Sequence, residues 1–208
     1  MVESIPFLVS GAIFGLAAGI SPGPLLTLVI SETLKHNRKA GIAVAIAPVL
    51  TDVPIVLISL YILAKLSQSH IVLGTISILG ALFIGYLAYE SIAVRGIEMT
   101  AKEIGIKSLR RGVITNFLSP HPYLFWVMVG APTVLKAYEI NFSSAFLFIL
   151  GFYFFLVGSK IAVALMVDKS RAFLKSNAYL YTIRLLGVIL LILAILFVRD
   201  GLKFFGVL

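Results

Sequence analysis

Asp52 and Lys160 are charges set inside long apolar runs, in APVLTDVPIVL and FLVGSKIAVAL. An ionised side chain at the centre of a bilayer costs about 2.5–3.5 kcal/mol on insertion scales, so both should face the protein interior. Two readings stay open. The pair can be structural, each charge cancelling the other's cost, or the two groups can mark a substrate or proton path. Asp52 also lies between Pro48 and Pro54, which lack an N–H and free the carbonyls of Val44 and Leu50. A carboxylate beside freed carbonyls suits an ammonium, a proton or a sodium ion.

A second kind of chemistry is carried by two Ser-Pro-x-Pro frames, GISPGPLL (19–26) and FLSPHPYL (117–124), each interrupting an apolar run. Pro22 and Pro24 deprive the carbonyls of Ala18 and Ile20 of their helical donors. Ser21-Pro22 and Ser119-Pro120 each read as an N-cap followed by a first helical residue, with Gly23 and Pro24 completing the first frame. Each frame therefore ends one half-helix and begins another. The new N-terminus presents N–H groups and the positive end of a helix dipole. In hydrocarbon such groups cost several kcal/mol unless satisfied, so they should face a cavity. Two of them approaching from opposite sides make a site for a carboxylate or other anion.

Neighbouring residues add to this set. His121, between the prolines of the second frame, can carry or sense a proton, or sit neutral and hydrogen-bonded. Asn116 either satisfies backbone groups near the break or contacts substrate. Trp126 and Tyr153 can line a cavity, although packing is the better reading, and Arg184 reads as a side chain snorkelling to the interface.

The elements that must position these residues follow from composition. Sixty per cent of the 208 residues are apolar, 12% are charged, and the mean hydropathy is +1.08. These values lie outside the soluble range. Six apolar runs, about 6–34, 41–64, 71–90, 112–135, 143–167 and 179–198, are each long enough to cross a hydrocarbon core of about 30 Å as a helix. The longest polar connection, 91–111, leaves no room for a nucleotide-binding domain, which excludes an ATP-driven pump within this chain. Segment 97–109 reads as a short interfacial helix.

Net charge is +8, but its distribution argues against nucleic acid. Connections 35–40, 91–111 and 168–178 hold eleven Lys/Arg, whereas the termini and the other two connections hold four. That asymmetry places both termini outside a cell membrane, with anionic headgroups as partners of the basic loops. The first run lacks the basic start of a signal peptide, and with no cysteine there is no disulfide or thiolate metal site. Nothing implies a cofactor.

Each Ser-Pro-x-Pro frame falls in the first helix of a three-helix group, and an odd number of spans makes the second group run in the opposite direction. The expected fold is thus an all-α integral membrane protein, a single transporter domain over 1–208. It has six transmembrane helices in two inverted-topology repeats (about 1–94 and 108–208), with helices 1 and 4 broken. Gly11, Gly15, Gly19 and Gly23 recur every four residues on one face, for tight internal packing or, as the alternative use, a homodimer contact.

The stretch GISPGPLLTLVISETLKHNRKAGIAVAIAPVLTD resembles the first half of the lysine/homoserine-exporter (LysE/RhtB-type) proteins, and RRGVITNFLSPHPYLFW is similar to that family's second break. Ser21, Pro22, Gly23 and Pro24 match the first motif, and Asn116 and Pro120 parts of the second. Ser119 stands where the family usually has Asn, and His121 where it has Lys; on charge count Lys160 is a replacement. The resemblance implies a secondary exporter of amino acids or related metabolites, driven by a proton or sodium gradient. Two alternatives stand beside it. A divalent-metal exporter needs several oxygen ligands, and Asp52 reads as the only deep carboxylate. A scaffold or hydrolase lacks an acid to orient Ser119 and His121.

Overall fold

Proline and asparagine decide where the helices stop. The computed structural model describes residues 4–66, 70–93, 108–169 and 177–207, and every regular element in them is helical. In chain order these are α1 (Ile5–Ile20), α2 (Pro24–Lys35), α3 (Arg38–Leu66), α4 (His70–Ala93), α5 (Ser108–Leu118), α6 (Pro120–Phe125), α7 (Ala131–Ile140), α8 (Phe142–Lys169) and α9 (Asn177–Phe204). A π-helical turn, Trp126–Gly130, joins α6 to α7.

The first apolar run is broken as expected, with α1 and α2 meeting at a 59° bend. Ser21 does not cap the new helix; it closes the old one, donating its N–H to the Ala17 carbonyl at 3.0 Å, and the N-cap of α2 is Gly23. The reason is that Pro24 as well as Pro22 fits the first turn, and the extended Ser21 (ψ 133°) carries the chain on past Pro22. At the second break Ser119 is the N-cap and α6 starts at Pro120, as read. Pro48 and Pro54 do not stop α3, which runs through both for 29 residues. Connection 35–40 shrinks to His36 and Asn37, because the Asn37 side chain accepts the N–H groups of Lys39 and Ala40 and starts α3. Asn141 does the same for α8 through the Ser144 N–H. Of the expected interfacial helix 97–109, residues 97–107 lie outside the described residues.

By length and composition Arg38–Leu63 and Phe142–Lys169 can each cross a membrane, and the bent α1–α2 pair makes a third span; His70–Tyr86 is a shorter apolar helix. Around them the outer surface is apolar: Leu57, Tyr61, Phe154, Leu185 and Ile195 are all exposed. In water such a surface would aggregate, while in a bilayer it is the lipid-facing side.

The closest helix contacts are made through glycine. A Cβ on Gly11 or Gly15 would stand 2.3 or 2.2 Å from the carbonyl oxygens of Phe148 and Phe152, and one on Gly19 would strike Ser159 Oγ. The glycine stripe of α1 is therefore occupied by α8 within the same chain, and is not a dimer face. Gly112 of α5 meets Val44 and Ala47 of α3 in the same way, and α4 packs along α9. Between these pairs sits a core built around Phe14, Phe125, Trp126, Phe148 and Phe152.

Candidate functional site

Where the two breaks come together, the bundle forms a half-open cavity of about 130 Å³. Ser21, Pro22, Gly23 and Pro24 line it from the first break, and Asn116, Ser119, His121 and Pro122 from the second. Asp52 of α3 and Lys160 of α8 complete the polar lining. The residues around the two breaks and the two buried charges thus border one space, and Pro120 begins α6 beside it. The remaining wall is apolar and aromatic, with Phe83, Phe125, Trp126 and Phe152.

Lys160 is buried and reaches α1, where its ammonium donates to the carbonyls of Ala18 at 3.1 Å and Gly19 at 3.0 Å. The Ala18 carbonyl is the one that Pro22 leaves without a helical donor. The cation therefore sits at the C-terminal, negative end of α1, beside the break. An ammonium has three N–H donors, so two bonds to backbone leave one for the cavity.

Asp52 is held separately. Its carboxylate accepts Asn116 Nδ2 at 2.8 Å, Thr51 Oγ1 at 3.3 Å and Tyr153 OH at 3.3 Å, and Asn116 Nδ2 also donates to Thr51 Oγ1 at 2.6 Å. The Trp126 indole N–H lies beside the carboxylate, fully buried and outside hydrogen-bond geometry. Trp126 and Tyr153 stack at 6.1 Å, which steers the phenol towards Asp52. Asp52 and Lys160 make no direct ion pair, so the reading in which they merely pair is set aside. Each has its own hydrogen-bond partners, Asp52 on α3, α5 and α8 and Lys160 on α1.

His121 stands with Nδ1 3.5 Å from Ser119 Oγ. At the same break the Ser119 N–H takes the Asn116 carbonyl at 3.2 Å, and Tyr123 OH takes the Phe117 carbonyl at 2.9 Å. The backbone freed by Pro120 is thus satisfied locally.

Sequence reasoning missed Thr51 and preferred packing to a cavity role for Tyr153 and Trp126, although both border the acidic group. It also took Asp52 for the only deep carboxylate. Glu32 on α2 is buried as well, in an ion pair with Arg111 and a 2.5 Å hydrogen bond from Ser108. In SETLKHNRK it stands among loop-like charges, and nothing local separates it from them.

An all-helical membrane bundle with a broken span and a cavity carrying one cation and one anion defines the class of membrane translocators. A family model described as LysE type translocator matches residues 16–201, and the chain belongs to that family. Members of that family are membrane translocators of small molecules. No curated protein and no solved structure matches the chain.

Proposed function

We propose that the protein is a secondary exporter of amino acids or related zwitterionic metabolites across the cell membrane. It works by alternating access of two inverted three-helix repeats (about 1–94 and 108–208) and is driven by a proton or sodium gradient. One observation carries this reading: the cavity holds a cation and a carboxylate that are not paired with each other. A zwitterion supplies the complement of both. Its carboxylate meets the remaining Lys160 N–H and the α2 N-terminus at Gly23–Leu25, where no side chain caps the first turn. Its ammonium meets Asp52, which Asn116 and Tyr153 hold in place. Ser119, Pro120 and His121 close the site from the second break.

The register of the half-helices supports the inverted arrangement. Glu32 of α2 and Arg111 of α5 touch, and each stands eight residues, or about 12 Å, from the break on its own helix, at Pro24 and Ser119. Chains running in opposite directions meet that condition at one shared depth. The basic connections put the Glu32–Arg111 end in the cytoplasm, with both termini outside.

Efflux from proteoliposomes loaded with a labelled amino-acid mixture tests the proposal. Export of at least one amino acid, accelerated by an imposed proton or sodium gradient, is expected. Gradient-independent leakage equal to that of empty vesicles counts against it. The metal-exporter reading has less support, because the described residues contain no group of three His, Asp or Glu able to hold an ion.

A further inference from the structure

Glu32 lies eight residues beyond Pro24 on α2, about 12 Å along the helix from the break. It is 1% exposed. Its carboxylate accepts Ser108 Oγ and forms an ion pair with Arg111, both on α5, and His36 Nε2 stands 3.8 Å away. Arg111 precedes the cavity residue Asn116 by five positions. The cluster therefore joins the two halves of the chain between the cavity and the basic end, where Lys35, Arg38, Lys39 and Arg110 are exposed.

Burial of this pair asks for an explanation, because apolar side chains of similar volume hold two helices together as well or better. An ion pair has a different property. It is strong while α2 and α5 touch, and each partner is readily hydrated once they part, whereas separated apolar surfaces would resist water. Arg111 Nε is buried without a partner among the described residues, so the guanidinium is not fully satisfied by them in the closed arrangement. Such a contact suits one that is made and broken repeatedly.

We propose that Glu32, Arg111 and Ser108 form the gate over the basic end of the cavity, closed here and opened to admit substrate. The proposal rests on the alternating-access reading. In the open state α2 and α5 separate, water enters between them, and the cavity becomes continuous with the cytoplasmic side. On α2 His36 and Lys35 stand one turn beyond Glu32, and Arg111 faces Glu32 from α5.

The chain has no cysteine, so Gly23→Cys supplies a single reporter in the cavity. Its extended backbone (φ −167°) accepts any residue, and the Cβ position is open. Labelling by a membrane-impermeant maleimide is measured separately from each face of reconstituted vesicles. Glu32→Gln and Arg111→Met should each raise the rate from the basic face by about tenfold or more, and Ser108→Ala by about threefold. The charge-reversed double variant, Glu32→Arg with Arg111→Glu, should return it to within about twofold of the parent. Unchanged labelling in Glu32→Gln and Ser108→Ala overturns the gate, as does an equal rise from both faces, which marks a loosened bundle. Ser108→Ala removes one hydroxyl and no charge, so it keeps the test decisive if the charge variants misfold. Because labelling needs no transported substrate, loss of the exporter reading and loss of the gate appear in different measurements.

Discussion

Lys160 donates to the carbonyl of Ala18, the same carbonyl that Pro22 strips of its helical partner. The break in α1 is thus completed by a side chain 142 positions further along. A proline that looks like damage to one helix is the socket for a cation from another, and the two features require each other.

Lys160→Met should therefore do more than remove a charge. It leaves the Ala18 and Gly19 carbonyls without their donor, at a cost of about 1–3 kcal/mol. A lower unfolding temperature in detergent together with loss of export is expected. Lys160→Arg keeps the cation and should retain most of the stability. Stability equal to the parent in Lys160→Met would mean that the two bonds contribute nothing.

Asp52→Asn keeps the shape of the carboxylate and removes its charge, so membrane insertion and stability should hold while export falls to background. The double variant with Lys160→Met should not regain transport, because neither group depends on the other for its place. Recovery of export in the double variant would reinstate a structural pair.

Restoring the helix at the first break is a separate test. Pro22, Gly23 and Pro24 replaced by Ala, Ala and Leu supply the missing N–H groups and let α1 continue into α2. The new N–H at position 22 then competes with Lys160 for the Ala18 carbonyl. Substrate-induced thermal stabilisation should disappear while the protein still inserts. Normal export by this variant would show the break to be only a bend.

Gly15→Ala should destabilise by about 1–3 kcal/mol, since its Cβ would lie 2.2 Å from the Phe152 carbonyl and neither backbone can move away freely. Gly158→Ala on α8 meets nothing within 4 Å and should be neutral. Thermal unfolding of the two variants side by side separates packing from any general effect of losing a glycine.

Much of this architecture is local in origin and was therefore legible in the chain. Apolar runs of membrane length, prolines without an N–H, and charges in the wrong solvent are properties of neighbouring residues. They place the helices, the breaks and the candidate groups Asp52, Asn116, His121 and Lys160 without any knowledge of the fold. What local chemistry left open was the choice of partners. Whether Asp52 takes Lys160 or Asn116 depends on how α3, α5 and α8 are rotated against one another. That rotation is set by glycine contacts such as Gly15 on Phe152 and Gly112 on Val44. Position along the chain is equally silent on Glu32, which reads as an ordinary loop-side acid until α5 brings Arg111 against it from 79 residues away. Even the cap at the first break was decided by tertiary structure, because both Pro22 and Pro24 are acceptable first residues. In the folded chain Gly23 takes that place. Burial and pairing are sums over distant contacts, and only the folded bundle supplies them.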